Sequence, residues 1–368
     1  MISHSPVIDS RSPIKIAGAG ISGLTCAINL RKAGREVVVF ERQNDSGSRF
    51  SNDFQGFENW SSDEDVIPML HRLNVHADFR YEGFKEVDLI DNSLQIHRIR
   101  SRTDRNGIYM VKRGKDHDSV DQRLKNQASE LGVPIHFNAA VKEEDVDVVA
   151  TGPKFASGVV CGLKGTTDSG NRISIMMDNS CAPKGYVYLS VIDGKITLAS
   201  VIMEDFGNAN TYAQRAIEKL THLYGLRIER PQYFGGFGNF FLKESYVKEG
   251  RMYVGESAGL QDCLFGFGMR YAFVSGYLAS RSVVEGTDYE SLLRLELGGI
   301  MKCSLVNRYR FEKLGNSAQR MLLKRWATCS DPLGYLRSWY TFTWAKKCIY
   351  PISKKWYDKK LENLSPPR

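Results

Sequence analysis

The sequence predicts an α/β fold in which an antiparallel sheet is inserted into a parallel sheet and a helical C-terminal segment follows. Residues Ile14 to Phe40 have the pattern of a strand, a helix and a second strand, which is typical of a right-handed βαβ unit. From Ile173 to Met203 the side chains alternate between two faces, with Gly194 at a hairpin position. Met252 to Val254 is again a short apolar strand, followed by glycine and a long helix. We therefore expect the parallel domain to be assembled from separated pieces of the chain.

The individual elements follow from apolar runs and their stop signals. Short apolar runs at Ile14–Ala17 and Val37–Phe40 are typical of buried parallel strands, and the helix between them, from Ile21 to Ala33, ends at Gly34. Further elements are predicted in chain order as antiparallel strands between Val66 and Arg105, a helix at Asp121–Leu131, strands at Pro134–Phe137 and Asp147–Ala150, a helix at Thr211–Tyr224, a glycine-rich aromatic stretch at Tyr233–Phe241, a helix at Met269–Val284, and mostly helix from Tyr289 to Leu364.

Length and composition indicate a globular protein with more than one core. A chain of 368 residues exceeds what one core usually organises, and 42% hydrophobic with 25% charged residues is ordinary globular usage. No apolar run reaches the ~18 residues of a membrane span, and residues 1–13 lack the apolar core of a signal peptide. The scattered cysteines predict reduced thiols in a cytoplasmic protein and no metal site: Cys26, Cys161, Cys181, Cys263, Cys303, Cys329 and Cys348.

A GxGxxG turn joins the first strand to the first helix. Its glycines allow the tight bend, the approach of a pyrophosphate to the backbone, and close packing of helix on strand. A carboxylate ends the second strand, where it can accept hydrogen bonds from both ribose hydroxyls and disfavours a 2′-phosphate. The pattern therefore predicts dinucleotide binding and argues against NADP. The residues expected to contact the dinucleotide here are Gly18, Gly20, Ile21, Ser22, Gly23, Glu41 and Arg42.

A second glycine-rich turn, more than 200 residues downstream, favours FAD over NAD. Gly255–Gly259 follows a strand and leads through Gly266 and Gly268 into the helix that begins at Met269. NAD needs no such second site, whereas the longer FAD needs contacts for its ribityl chain and ring. We expect Glu256 to accept hydrogen bonds from ribityl hydroxyls, and the helix start to stabilise negative charge at the N1/C2 carbonyl edge of the flavin. The predicted cofactor is non-covalent FAD.

The two turns resemble a known family. GAGISGL with Glu41, VDVVATG, and VGESAGLQDCLFGFGMRYAFVSGYLAS resemble the geranylgeranyl reductase family, within the p-hydroxybenzoate hydroxylase-like flavoproteins. The resemblance is strongest over residues 14–56 and 251–284, and it implies FAD-dependent oxidoreductase chemistry on an isoprenoid-like or lipid-like substrate. The chain departs from the family at Glu256, where the family has aspartate, and at Cys263, near a position that is often proline.

The resemblance also implies further cofactor contacts. Arg113 lies in a segment resembling the one whose arginine approaches FAD, and Arg49 lies in a region expected along the isoalloxazine ring. An ordinary surface arginine is the alternative for both. Thr151 and Gly152 follow a buried strand, where aromatic hydroxylases carry Ala-Asp-Gly and then arginine. That Asp and Arg are absent, and no WxWxIP motif occurs, which argues against the hydroxylase and halogenase classes.

Aromatic side chains predict an apolar substrate pocket over the flavin. Tyr186 and Tyr188 on one strand, with Phe234 and Phe237 in the glycine-rich stretch, are the expected lining, and simple core packing is the alternative. No Ser/His/Asp set or metal-binding cluster emerges from the sequence. No catalytic side chain is assigned, because hydride chemistry belongs to the flavin.

The C-terminal segment differs in composition from the rest of the chain. From Met301 to Arg368 it has 15 Lys and Arg against 4 Asp and Glu, and four of the five tryptophans. Aromatic residues interleaved with lysines predict contact with an anionic membrane surface. A helical cap on the body is the alternative, and nucleic acid is not expected. The predicted domains are a discontinuous Rossmann-type FAD-binding domain (1–60, 106–155 and 250–286), a substrate domain (61–105 and 156–249) and this helical segment (287–368).

Together these patterns predict an FAD-dependent oxidoreductase that moves hydride through flavin N5 to or from an apolar substrate. NAD(P)H or a protein carrier is the expected transient electron donor. An FAD-dependent monooxygenase and a flavin-binding protein without turnover are the alternatives. The sequence leaves the substrate, the direction of the reaction and the oligomeric state open.

Overall fold

The computed structural model describes residues 12–362 and confirms the mixed α/β fold. Most of residues 1–13, which lack a signal-peptide pattern, and the end of the predicted C-terminal helical region lie outside this range. In chain order the strands are β1 (Ile14–Ala17), β2 (Val37–Phe40), β3 (Phe54–Glu58), β4 (Tyr81–Phe84), β5 (Glu86–Asp91), β6 (Ile96–Arg100), β7 (Ile108–Lys112), β8 (Ile135–His136), β9 (Val148–Val149), β10 (Gly158–Thr166), β11 (Arg172–Met177), β12 (Tyr186–Ile192), β13 (Lys195–Ile202), β14 (Glu229–Gly238), β15 (Val247–Lys248) and β16 (Arg251–Tyr253). The helices are α1 (Ile21–Lys32), α2 (Val66–Arg72), α3 (Val120–Glu130), α4 (Ala209–Tyr224), α5 (Met269–Glu285), α6 (Tyr289–Glu296), α7 (Gly298–Phe311), α8 (Asn316–Ala327), α9 (Pro332–Ser338) and α10 (Trp344–Glu362).

The first sheet is the parallel sheet that the apolar strands predict. Its strands have the order β15-β16-β9-β1-β2-β8, and all neighbours are parallel except the β15–β16 hairpin. Helix α1 packs on β1 and β2 and also contacts α5. Gly276 of α5 permits this contact, because a Cβ there would lie 2.2 Å from the carbonyl oxygen of Ser22. The sheet thus unites pieces of chain that are far apart in sequence.

The second sheet is inserted between those pieces. Its order is β14-β10-β13-β12-β11-β5-β6, antiparallel except for the β11–β5 pair. Leu189 and Leu198 on one face pack with Leu220 of α4 in a small separate core. Because side chains alternate along a strand, Tyr186 and Tyr188 of β12 belong to the opposite face. That face of the sheet is directed toward the parallel domain.

A third, smaller sheet has the antiparallel order β3-β7-β4. The chain before β4 differs from the predicted run of strands, since Val66–Arg72 forms helix α2. The side chain of Asp65 caps this helix by accepting a hydrogen bond from the amide of Ile67. Pro68 falls in the first turn, where a missing N–H removes no helical hydrogen bond.

Helices α6 to α10 make up the C-terminal segment as far as the structure describes it, in agreement with the predicted helical character. They pack on the body through buried side chains, among them Tyr289, Leu305 and Leu323. Within residues 12–362, no helix combines the length and the apolar composition needed to cross a membrane.

Candidate functional site

A cleft of about 420 Å³ lies between the carboxyl ends of the parallel strands and the inner face of the seven-stranded sheet. Ligands of open α/β sheets bind at this edge. All but three of the residues predicted to contact cofactor or substrate line this one cleft. They are Gly20, Ile21, Ser22, Glu41, Arg42, Arg49, Arg113, Thr151, Gly152, Tyr186, Tyr188, Phe234, Phe237, Glu256, Gly266, Gly268 and Met269.

The remaining three predicted residues, all glycines, lie behind the cleft and shape its turns. Gly18 has φ of +109°, and a Cβ there would lie 2.3 Å from the carbonyl oxygen of Ala150. A Cβ on Gly23 would lie 2.0 Å from the carbonyl oxygen of Gly18. Gly255 has φ of +56°, and its Cβ would lie 2.6 Å from the hydroxyl of Ser22. These positions therefore permit close packing of the two turns and do not themselves line the cleft.

Helices α1 and α5 both begin in the cleft without a side-chain cap. Gly20 is the N-cap of α1 and Gly268 the N-cap of α5, and neither helix start receives a side-chain hydrogen bond. The first amides of a helix have no partner within the helix, and the helix dipole is positive at that end. Both helix starts therefore offer N–H donors and positive potential to an anionic group in the same cleft.

Glu41 is fixed at the end of β2. Its Oε2 accepts a hydrogen bond from the amide of Ala19 at 2.8 Å, and its Oε1 accepts one from the amide of Gln43 at 2.8 Å. Each carboxylate oxygen keeps a further lone pair. The carboxylate is thus held beside the first turn with acceptor capacity facing the cleft that it lines.

Arg49 and Glu256 form an ion pair across the cleft. Arg49 Nη1 lies 2.6 Å from Glu256 Oε2, and Arg49 also donates to the carbonyl oxygen of Phe237 on β14. Glu256 Oε1 accepts from the amide of Asn239 and from the side chain of Gln261, both at 3.1 Å. The pair joins the parallel domain to the edge strand of the second sheet. Sequence reasoning missed Gln261, although it lies inside the second glycine-rich segment.

Arg113 lines the cleft and is paired with a carboxylate of the protein. Its Nε and Nη2 donate to the two carboxylate oxygens of Asp121, each at 2.9 Å, and both side chains are buried. The Arg113 guanidinium also lies over the ring of Phe50 at 3.9 Å. It is therefore a buried, paired arginine rather than the exposed surface residue that was the alternative.

The opposite wall of the cleft is apolar. Besides the predicted aromatic residues, it includes Ile173, Ile175, Val201, Met203 and Phe267. Burial raises the pKa of the Tyr186 and Tyr188 hydroxyls, and the nearby Asp53 charge adds to the effect at Tyr188. The Tyr186 hydroxyl donates to the carbonyl oxygen of Phe265 at 2.9 Å. Both tyrosines therefore remain neutral, and this wall suits an apolar ligand.

The loop from Leu260 to Phe267 closes the base of the cleft and is shaped by a buried carboxyl. Asp262 accepts hydrogen bonds from the amides of Leu264 and Phe265, at 3.3 and 2.8 Å. Burial raises the pKa of Asp262 to about 7 and that of the neighbouring Cys263 to about 12. Cys263 is thus held as an unreactive thiol.

The C-terminal helices brace this loop. Arg308 of α7 is 1% exposed and donates to the carbonyl oxygens of Leu264 at 3.1 Å and of Lys184 at 2.5 Å. Its Nε also donates to Glu312 at 2.9 Å. One arginine of the basic C-terminal segment is therefore buried in the core, where it links the cleft loop to the chain just before β12. Sequence reasoning missed this role, because nothing local distinguishes Arg308 from the nearby Arg310, which is exposed.

Within residues 12–362, no group of three or more His, Cys, Asp or Glu side chains is placed to hold a metal ion.

Comparisons with known proteins agree with this architecture. Residues 16–61 match the model of an NAD(P)-binding Rossmann-like domain. A search of curated protein sequences finds no significant match. A geranylgeranyl bacteriochlorophyll reductase-like protein from Thermoplasma acidophilum is similar in structure, with a TM-score of 0.67, 17% identity and coverage of 94% of this chain and 98% of that chain.

Halogenating and oxygenating enzymes share the same fold. A flavin-dependent brominase matches with a TM-score of 0.62, 15% identity and coverage of 94% of this chain and 99% of that chain. The p-nitrophenol 4-monooxygenase of Pseudomonas putida matches with a TM-score of 0.55, 14% identity and coverage of 94% and 97%. The chain thus has the same fold as this reductase-like protein, this flavin-dependent brominase and this monooxygenase, which confirms the resemblance at the level of fold. The fold itself does not separate these three classes.

Proposed function

We propose that this protein is an oxidoreductase with non-covalent FAD that transfers hydride to or from an apolar, isoprenoid-like or lipid-like substrate. The main support for this proposal is the composition of the cleft. A single cleft combines two uncapped helix starts, a fixed carboxylate at the end of β2 and an apolar wall. The first two features suit the charged and ribose parts of a dinucleotide, and the third suits an apolar ring and substrate.

The residues of the cleft fit FAD in its polar part. Gly20 leaves open space, since a Cβ there would meet no atom within 4 Å, so a pyrophosphate can approach the start of α1. Glu41 would accept hydrogen bonds from the adenosine ribose. Arg49 would face the phosphates, and Glu256 would accept from the ribityl chain. The start of α5 at Gly268 and Met269 would lie against the flavin carbonyl edge.

Bound FAD would supply hydride exchange at N5. The residues of the protein would position the cofactor and exclude water from the substrate. The apolar wall around Tyr186 and Phe267 excludes water from the substrate side, and the neutral tyrosine hydroxyls place no charge there. Arg308 and Asp262 keep the loop at the base of the cleft in one conformation. A dinucleotide turn of this type occurs once within residues 12–362, so NAD(P)H would enter transiently or a protein carrier would deliver electrons.

The first test is the cofactor itself. The purified protein should be yellow with flavin absorption bands, and heat denaturation should release FAD, identified by chromatography against FMN and NAD standards. A colourless protein that binds none of the added FAD would refute the proposal.

A second test separates reductase from monooxygenase. Dithionite-reduced protein should pass electrons anaerobically to quinone or isoprenoid alkene acceptors. NADPH-dependent oxygen uptake stimulated by an aromatic substrate would instead indicate a monooxygenase, the class represented by one of the structural relatives. Failure of every acceptor with FAD bound would indicate a flavin-binding protein without turnover.

A further inference from the structure

Helix α10 has one face packed on the protein and one face exposed. Ser353 and Tyr357 are buried, and the Tyr357 hydroxyl donates to the carbonyl oxygen of Phe240 at 2.8 Å. On the opposite side, Trp344 is 79% exposed and Ile352 is 60% exposed. Large apolar side chains thus point away from the body on a helix whose other side is already anchored.

The exposed side of α10 has a specific composition. Trp344, Cys348 and Ile352 are exposed and are spaced by four residues, so they form one row along the helix. Lys347 and Lys355 are exposed beside this row, and neither has an ion-pair partner within residues 12–362. In contrast, Lys354 and Lys360 pair with Asp358 and Glu312. We call Trp344, Lys347, Cys348, Ile352 and Lys355 the outer face of α10.

Most other aromatic residues of the C-terminal segment pack against the rest of the protein. Trp326 and Tyr340 are buried, and Trp339 packs against Trp326 and Tyr335. These residues behave as a helical cap on the body. Of the C-terminal segment that the sequence predicts to contact a membrane, the outer face of α10 is therefore the part that is available for this contact.

We infer that the outer face of α10 docks the protein on an anionic lipid bilayer. An exposed apolar row with adjoining lysines is the composition that places a helix in the headgroup layer, apolar side down and ammonium groups at the lipid phosphates. The C-terminal segment that contains this face is basic as a whole, with 15 Lys and Arg against 4 Asp and Glu in residues 301–368, which is complementary to an anionic lipid surface. A row of apolar residues on a water-facing helix is otherwise unfavourable.

A single residue, Phe240, separates helix α10 from the cleft. Phe240, which accepts the hydrogen bond from Tyr357, lines the cleft and stacks on the Tyr357 ring with centroids 5.9 Å apart. A helix is about 10–12 Å across, so docking would bring the cleft wall close to the bilayer surface. This consequence, access of a membrane-dissolved substrate, rests on the proposed function, whereas docking itself does not.

The test uses the full chain and lipid vesicles. Co-flotation is measured with vesicles of phosphatidylcholine alone and with vesicles that also contain about 30% phosphatidylserine. We expect binding to the anionic vesicles that weakens as NaCl rises from about 0.05 to 0.5 M, since salt screens the lysine contribution. Absence of binding to anionic vesicles at low salt would overturn the inference, whatever the flavin content.

Two double variants locate the contact. Lys347→Gln with Lys355→Gln should weaken partition to anionic vesicles about 30-fold at low salt. Trp344→Ser with Ile352→Ser should weaken partition about tenfold or more by removing apolar burial. The matched control, Lys32→Gln with Lys195→Gln, removes the same charge from exposed positions outside the C-terminal segment and should bind as the parent does.

Two results would overturn this assignment. Equal loss of binding in the control would mean that net charge rather than the outer face is responsible. A dimer in sedimentation equilibrium that dissociates in the Trp344→Ser, Ile352→Ser variant would identify the face as a contact between copies of this chain. Unchanged far-UV circular dichroism and flavin content in all variants exclude misfolding, and keep failure of docking distinct from failure of the proposed function.

Discussion

Replacing Gly20 with alanine should separate cofactor binding from folding. Gly20 has φ of −88° and ψ of −176°, a conformation that alanine adopts freely. Its Cβ would meet no protein atom within 4 Å. Alanine is a poorer N-cap than glycine by roughly 0.5–1 kcal/mol, and it restores about 0.4–1 kcal/mol by restricting the unfolded chain. We therefore expect the free energy of unfolding without cofactor to change by less than about 1 kcal/mol.

The effect on FAD binding should be much larger. The new methyl group would occupy the space through which a pyrophosphate approaches the start of α1. Displacing the phosphate from one backbone amide removes a hydrogen bond to a charged group, which contributes about 1.5–3 kcal/mol. The dissociation constant for FAD should therefore rise about 10- to 150-fold.

The assay is a fluorescence titration of cofactor-free protein with FAD, paired with urea unfolding of the same preparations. Gly170→Ala is the matched control, because Gly170 is also open but lies outside the cleft. It should leave the FAD affinity unchanged and change the free energy of unfolding by less than about 1 kcal/mol. Gly23→Ala is the structural counterpart, since its Cβ would clash with the Gly18 carbonyl, and it should lower stability. An unchanged FAD affinity in Gly20→Ala at normal stability would refute the cofactor placement.

Three further outcomes are expected. Glu41→Gln should weaken FAD binding about tenfold or more by removing a charged ribose acceptor, while the exposed Glu36→Gln control should not; equal effects would contradict the assigned contact. Arg308→Met should lower the free energy of unfolding by about 3–5 kcal/mol in urea titrations, because a buried ion pair and two carbonyl contacts are lost; a change under about 1 kcal/mol would show that the brace is not formed. Burial raises the pKa of Asp262 from 3.8 in the unfolded chain to about 7 in the folded protein. The stabilisation associated with the protonated carboxyl is therefore complete below about pH 4 and is lost as the pH rises through about 7. The stability of the parent relative to Asp262→Asn should therefore fall by about 3 kcal/mol between pH 4 and 7, and a pH-independent difference would contradict the buried carboxyl.

The sequence by itself determined the features that depend on local spacing. The turn Gly18–Gly23 and the end of β2 at Glu41 lie within one strand-helix-strand unit, so their relation follows from a short stretch of chain. The second turn and the start of α5 were predictable for the same reason. Alternation along β12 correctly placed Tyr186 and Tyr188 on one face, since the period of a strand is two residues.

Only the tertiary structure decided which distant residues meet in the cleft. Arg49 and Glu256 are 207 residues apart, and their ion pair depends on how the two sheets pack. No local pattern singled out Arg308 within the basic C-terminal segment, and it is buried because two carbonyl oxygens and Glu312 compensate its desolvation. The outer face of α10 is likewise defined by tertiary packing, which buries Ser353 and Tyr357 and leaves Trp344 and Ile352 exposed. Local sequence encodes helices, strands and turns through short-range periodicity, whereas the pairing of remote polar groups is set by packing that no local pattern reports.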